Sequence, residues 1–390
     1  MRALAELPRE NGTAALQRTA DSLHEALVAA GAETALLPFT ATPYTLRLAG
    51  VIALAGGLLY FRLLRRGRAA AALAAAIAVP ALLLAQLDFQ LPVFGWLGAQ
   101  TQYHVLGRVA VPSPEQRLVF TAHYDTKTDL LDHLERAPGE LLGVVAVPLM
   151  LAGAGAGALA GRARRREALL RRLAGVAAWV GLAYGALLFL TLSAGAFVPQ
   201  RSPGALDDGA SCALLVKLAE RLAQQPLART EVEVLLFSAE EVGVQGSWVY
   251  ASERFAEPPE LPTAVLNLEG LGASAQHGVL PSERFSLRSY PPDPSLVALL
   301  EAQHRERFGS GLATLPLGGA TDARSFLARG IPAATLFSAE SGSLFPRGLH
   351  SAADNRSRID EAALDQSLLY LLDVARAADA RGLRALRSDP

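Results

Sequence analysis

The chain has one cysteine, Cys212, and no excess of charge of either sign. A single thiol excludes an intramolecular disulfide framework and any zinc or iron–sulfur site built from several cysteines. Lys and Arg total 36 against 37 Asp and Glu, a net charge of -1, so the basic surplus of a nucleic-acid binder is missing. Charge itself is sparse, at 19% of residues, while 51% are hydrophobic. Mean hydropathy is +0.26, where a soluble enzyme usually falls below zero. The 390 residues suffice for one large domain or for two or three small ones, and part of the chain is expected in a membrane.

The apolar excess is concentrated in four runs: Leu48 to Leu64, interrupted by Arg62, then Ala69 to Ala85, Leu141 to Ala160 and Leu173 to Val198. About 20 apolar residues cross a bilayer core and roughly 17 is the lower bound, so runs three and four pass while runs one and two are marginal, with Arg62 able to snorkel and the flanks to tilt. The competing reading of each is a buried core helix. The runs come in pairs joined by basic connectors. The first connector carries Arg62, Arg65, Arg66 and Arg68. The second carries Arg162, Arg164, Arg165, Arg166, Arg171 and Arg172 against Glu167 alone. The positive-inside rule places both connectors in the cytoplasm and the rest of the chain on the other face. Run one begins too late for a cleavable signal peptide. Gly153, Gly157 and Gly161 recur every fourth position on run three, a spacing that permits close helix packing in lipid.

The polar remainder alternates helix and strand. Thr13 to Ala30 reads as an amphipathic helix with Leu16, Ala20, Leu23 and Leu27 on one face and Gly31 as its stop. Thr34 to Thr40 reads as a strand. Gln102 to Val111 and Arg117 to Thr121 read as a strand hairpin around Pro112, Ser113 and Pro114. Ala210 to Ala223 is helical, Glu231 to Phe237 and Ala264 to Leu268 are strands, and Asp293 to Phe308 is a helix. Thr321 to Ala328, the strand Ala333 to Phe337 and the helix Glu361 to Ala380 follow. Alternation of this kind implies an α/β fold, a mixed central sheet flanked by helices, with two transmembrane helical hairpins inserted. The expected divisions are 1–47 (helix and strand of the domain), 48–85 (first hairpin), 86–140, 141–198 (second hairpin) and 199–390.

Acidic and histidine residues gather at the ends of these elements. His123-Tyr124-Asp125 follows a strand, and Asp125 there could orient a metal-binding imidazole. Leu206-Asp207-Asp208-Gly209-Ala210-Ser211 opens a helix, where two carboxylates also suit plain capping. Ser238-Ala239-Glu240-Glu241-Val242-Gly243 lies at the carboxyl end of an apolar strand, the place where open α/β sheets bind ligands. One of its glutamates could bind metal while the other acts as a base. Asn267-Leu268-Glu269-Gly270 is another strand end. His350 stands in a Gly/Ser-rich loop, with Asp354 after it. Two histidines and several carboxylates on one α/β domain suit two zinc ions that share a bridging carboxylate and a bridging water. His24, His104, His133, His277 and His304 have no partner motif and read as structural or surface residues.

Taken in order, these motifs resemble the co-catalytic zinc peptidases, the family that includes bacterial leucyl aminopeptidases, glutamate carboxypeptidase II and glutaminyl cyclases. The third motif runs Ala239-Glu240-Glu241-Val242-Gly243-Val244-Gln245-Gly246-Ser247. The resemblance covers nearly all of the polar part and implies two Zn²⁺ ions. It implies Asp208 as the ligand between them, with the following peptide to Gly209 often cis. His123 and Glu269 would complete one site, Glu241 and His350 the other. Glu240 would be the general base, with Asp125 behind His123 and Asp322, in Gly319-Ala320-Thr321-Asp322, as a supporting residue. Glu269 stands where many relatives have Asp, and it points to a membrane-embedded or carboxypeptidase-like branch. The step of 85 positions from His123 to Asp208 exceeds the soluble pattern, and the second hairpin accounts for it.

The implied protein is a membrane-anchored zinc exopeptidase acting on short peptides outside the cytoplasmic membrane, foremost an aminopeptidase. The rivals are a carboxypeptidase, a glutaminyl-cyclase-like aminoacyl transferase that works with one zinc, and an inactive scaffold. All the candidate ligands and the base are present, which weighs against the scaffold. A transporter is disfavoured because the apolar runs hold no carboxylate or histidine. Peptide and the lipid bilayer are the expected partners, nucleic acid is not, and the sequence leaves the oligomeric state open.

Overall fold

The computed structural model describes residues 2–160, 162, 164–314, 318–338, 340 and 347–383. In chain order it begins with α1 (Arg2–Glu6), α2 (Ala14–Ala29), β1 (Glu33–Ala41), α3 (Thr45–Arg65), α4 (Ala69–Leu87), β2 (Gln100–Val109) and β3 (Gln116–His123). There follow α5 (His133–Ala160), α6 (Glu167–Leu192), α7 (Ala210–Gln224), β4 (Thr230–Phe237), α8 (Gln245–Arg254), β5 (Thr263–Glu269) and β6 (His277–Val279). The chain ends with β7 (Glu283–Arg284), β8 (Ser289–Tyr290), α9 (Pro294–Phe308), β9 (Ala313–Thr314), α10 (Ala323–Leu327), β10 (Ala333–Ser338) and α11 (Glu361–Arg381). Two units form: Met1–Pro43, Gly98–Lys127 and Arg201–Pro390 make one, and Tyr44–Leu97 with Thr128–Gln200 make the other.

The first unit is built on an eight-stranded sheet of order β1-β2-β4-β3-β5-β10-β6-β9. Its centre, β4-β3-β5-β10, is parallel throughout. Parallel strands are covered on both faces, and every residue of β4 is accordingly buried. Val232, Val234 and Leu236 enter one core with α2, α7, α9 and α11, while Leu235 and Phe237 enter a second with α8 and α10. The intervening Glu231 and Glu233 sit 2.8 Å and 3.1 Å from Nε of Arg117 on the neighbouring strand. Helix α2 buries Leu16, Ala20, Leu23 and Leu27, and the Thr13 hydroxyl caps it by accepting from the N–H of Leu16.

One expectation fails here. β2 and β3 do not form a hairpin, because β4 lies between them, antiparallel to β2 and parallel to β3. β3 is buried along nearly its whole length, so it takes a parallel neighbour on each side rather than an edge position.

The second unit contains four helices, α3 to α6, each long and apolar enough to cross a membrane. Only 22% to 33% of each apolar stretch is buried within the structure, so most of these side chains, Val144, Val176 and Trp179 among them, face outward. α3 and α6 approach through glycine. A Cβ on Gly57 would lie 2.6 Å from the Gly181 carbonyl oxygen, and one on Gly185 would lie 2.5 Å from that of Ala53. On α5, a Cβ on Gly153 would meet that of Ala177 at 2.0 Å, so the small-residue spacing there serves close packing. Gly161 lies outside the described residues. The helices differ in extent from the apolar runs. α5 begins at His133, ahead of Leu141. α6 takes Arg171 and Arg172 into its opening turns and stops at Leu192, where a 3₁₀ turn, Ala194–Phe197, completes the run.

Candidate metal centre

Five segments converge at the carboxyl end of the parallel strands. His123 is the last residue of β3 and Glu269 the last of β5. Glu240 and Glu241 follow β4, Asp207 precedes α7, and His350 lies in the loop after β10. This is the crevice where open α/β sheets place ligands, since each strand delivers its next residues to the same edge.

The side chains fall into two groups of three. His123 Nε2 lies 3.1 Å from Asp207 Oδ1 and 3.4 Å from Glu269 Oε1. His350 Nε2 lies 2.9 Å from Asp207 Oδ2 and 3.0 Å from Glu241 Oε1. Within each group the donor atoms are all within 4.8 Å of one another. Asp207 therefore belongs to both groups through its two oxygens, which corrects the sequence assignment of the shared position to Asp208. Asp208 turns the other way. Its carboxylate accepts from the N–H groups of His123 (3.3 Å) and Gly270 (3.1 Å), and so ties the ends of β3 and β5 together. The cis peptide likewise precedes Asp208 rather than following it, joining Asp207 to Asp208.

The donor set fits zinc. Imidazole nitrogen and carboxylate oxygen in threes, with a position left open, is the composition of catalytic zinc sites. Glu269 Oε2 is buried without a hydrogen-bond partner among the described residues, and Glu241 Oε1 faces His350 Nε2 at 3.0 Å; burying such carboxylate oxygens is costly unless a cation satisfies them. The Lys127 ammonium lies 3.5 Å from the other oxygen of Glu241, Oε2. Burial lowers the basicity of the His123 imidazole, but hydrogen bonds to Asp125, Asp207 and Glu269 outweigh it and raise the pKa well above the usual value.

Glu240 stands apart from both groups. Its Oε2 is 4.0 Å from His123 Nε2, and its side chain is 12% exposed, enough to meet a substrate. Burial raises its carboxyl well above the ordinary range, with Glu241 and Glu269 adding to the effect against His123. The two adjacent glutamates lie in a tight turn: Ala239 has φ 62° and Gly243 φ 104°, and the N–H of Val244 donates to the Glu240 carbonyl at 2.7 Å. Gly246 is required because a Cβ there would lie 1.9 Å from the Ser238 carbonyl oxygen. The Gly-x-x-Gly spacing after Glu241 is thus a backbone requirement of the turn.

Asp125 is buried beside His123, with Oδ1 3.6 Å from Nδ1. It also accepts from the N–H groups of Glu240 (3.2 Å) and Glu241 (3.0 Å), so it joins the β3 and β4 loops. Asp322 is buried at the start of α10, outside both groups, and its carboxyl is pushed up to about 7, chiefly by burial. Of the histidines outside the motifs, His104, His277 and His304 are buried; His104 stacks on Phe39 with ring centroids 4.1 Å apart. The side chain of His133 lies outside the described residues.

Two site residues have no role assigned from the sequence. Asp354 accepts from the N–H groups of Leu206 (2.7 Å) and Asp207 (3.2 Å) and so fixes the turn that presents Asp207; its spacing after His350 was the available sign. Arg9 is fully buried. Its guanidinium donates to the carbonyls of Tyr124 (2.7 Å), Pro203 (2.6 Å), Gly204 (2.9 Å), Leu7 (3.1 Å) and Leu4. Nothing local distinguishes it from a surface cation.

Residues 191–375 match the model of peptidase family M28. Among solved structures, the chain resembles a glutaminyl cyclase from Fimbriiglobus ruber at TM-score 0.54 and 15% identity, covering 96% of this chain and 90% of that one. It resembles a Zn-dependent exopeptidase from Parabacteroides distasonis at 0.53 and 16%, covering 95% and 93%. A zinc aminopeptidase from Bacillus subtilis follows at 0.50 and 14%, covering 95% and 90%. At these identities the likeness establishes the fold. No curated protein matches significantly by sequence. Family match, fold and site together define a zinc metallopeptidase, a hydrolase of peptide bonds. The match to peptidase family M28 over residues 191–375 and the likeness in fold agree with the resemblance read from the motifs.

Proposed function

We propose that the protein is a membrane-anchored exopeptidase, specifically an aminopeptidase, that uses two zinc ions. The observation that carries this reading is the pair of three-residue groups joined by Asp207, with Glu240 beside them and in neither. His123, Asp207 and Glu269 would hold one ion; Asp207, Glu241 and His350 the other. Bound there, zinc lowers the pKa of water and polarises a scissile carbonyl. The protein's own part is proton transfer. Glu240, free of either group, takes the proton from the attacking water and returns it to the leaving amine. Its raised pKa suits that exchange, and the Asp125 carboxylate holds its backbone in place. Two complete groups favour hydrolysis over the one-zinc cyclase reading.

Four outward-facing apolar helices with arginine-rich connectors support anchoring in the cytoplasmic membrane, with the connectors in the cytoplasm and the peptidase unit on the other side. The test is a panel of aminoacyl and N-blocked peptide substrates on detergent-solubilised protein with its zinc content measured. Release of free amino-terminal residues is expected. Cleavage of blocked peptides alone would exclude an aminopeptidase, and cyclisation of amino-terminal glutamine with one zinc per chain would favour the cyclase.

A further inference from the structure

The segment from Arg9 to Asn11 is clamped onto the candidate centre. Arg9 and Thr126 exchange hydrogen bonds: the Arg9 N–H donates to the Thr126 hydroxyl at 2.8 Å, and the Thr126 N–H donates to the Arg9 carbonyl at 3.1 Å. The Arg9 guanidinium spans the loop after β3, at Tyr124, and the loop before α7, at Pro203 and Gly204. Those loops carry Asp125 and Asp207. Two residues beyond this anchor, Asn11 Nδ2 donates to Asp125 Oδ2 at 2.6 Å. An ionised carboxylate only accepts, so the amide must turn its NH₂ toward it.

We propose that Asn11 is a positioning residue of the catalytic centre, acting through Asp125 on the Glu240–Glu241 turn and on His123. Asp125 Oδ2 receives two donors, the Asn11 amide and the Glu241 N–H, while Oδ1 receives the Glu240 N–H and faces His123 Nδ1. Without Asn11, one oxygen of this buried carboxylate loses its side-chain donor. The carboxylate can then rotate away from the backbone groups that aim the base and a ligand. Partners that orient metal ligands change metal affinity or activity by about 10- to 100-fold when removed.

The inference rests on the zinc-hydrolase reading, and its test separates the two. In the full-length, detergent-solubilised protein, Asn11→Ala removes the donor. Asn11→Asp keeps the shape but sets a like charge against Asp125, and it decides the matter where the alanine variant fails to fold. Thr13→Ala, which loses the α2 cap and the hydroxyl's hydrogen bond to the Glu10 carbonyl but no bond to Asp125, is the control. Zinc affinity is read by competition with a chromogenic chelator, and kcat and KM on an aminoacyl substrate. Both Asn11 variants should bind zinc about tenfold more weakly and lose about tenfold in kcat with KM nearly unchanged, while the control keeps wild-type zinc affinity. Wild-type zinc affinity and kcat in both would overturn the proposal. Absence of peptide hydrolysis by the wild-type protein would instead overturn the functional reading, with the zinc affinities still reporting on Asn11.

Discussion

At the residue scale, the centre divides labour between neighbours whose side chains differ little. Glu240 and Glu241 are adjacent, yet Glu241 lies against His350 while Glu240 faces the space beside His123. Glu240→Gln should keep zinc and lose at least about a hundredfold in kcat, measured by metal analysis and steady-state hydrolysis of one sample. Wild-type turnover in that variant would remove Glu240 from the proton-transfer role. Asp207 and Asp208 present the same kind of choice, and there the sequence misleads. Both are acids at one helix start, and only the backbone path decides which faces the crevice and which reaches back to the His123 and Gly270 N–H groups. His123, Glu241 and Glu269 could be picked out because each ends a strand or follows one closely, and His350, in the loop after β10, from the order of the motifs. Arg9 was not, since a buried guanidinium serving carbonyls from distant loops leaves no local pattern.

At the element scale, helices and strands were legible from periodicity, and α2 buries the apolar positions its spacing selects. Strand partners were not. β2 and β3 follow one another around Pro112 and Pro114, but sheet position depends on which strand can bury both faces, and β4 enters between them from over a hundred residues away. The turn after β4 is equally constrained. Gly246→Ala must displace the Ser238 carbonyl, so we expect a loss of roughly 1–3 kcal/mol in stability and a lower kcat, followed by thermal melting and hydrolysis. Near the end of α11, Asp379 accepts from the N–H groups of Ala228 and Arg229 and from the Thr230 hydroxyl. Burial alone would raise its carboxyl, but these donors prevail and hold it below the usual range. A depressed folded-state pKa stabilises above the unfolded value of about 3.9 and ceases to do so as the pH falls through the folded value. Asp379→Asn should therefore melt lower than wild type at pH 7, by about 1 kcal/mol, with the gap closing in acid; a gap independent of pH would contradict this.

At the scale of the whole molecule, two kinds of sequence share one chain: four apolar helices, and an α/β unit whose residues are discontinuous around them. Mean hydropathy and the four runs made the first legible, while ordered motifs made the second so despite the interruptions. The proposed orientation has a direct check. Cys212 is buried, so Arg66→Cys introduces an accessible thiol at the first connector. An impermeant maleimide should label it only after the membrane is permeabilised, and labelling of intact cells would reverse the topology. The central claim is that two zinc ions share Asp207. Zinc per chain, measured on purified wild-type and Asp207→Asn protein, tests it most directly. Two ions in the wild type and fewer than one in the variant are predicted. Two ions retained by Asp207→Asn, or one in the wild type, would contradict it.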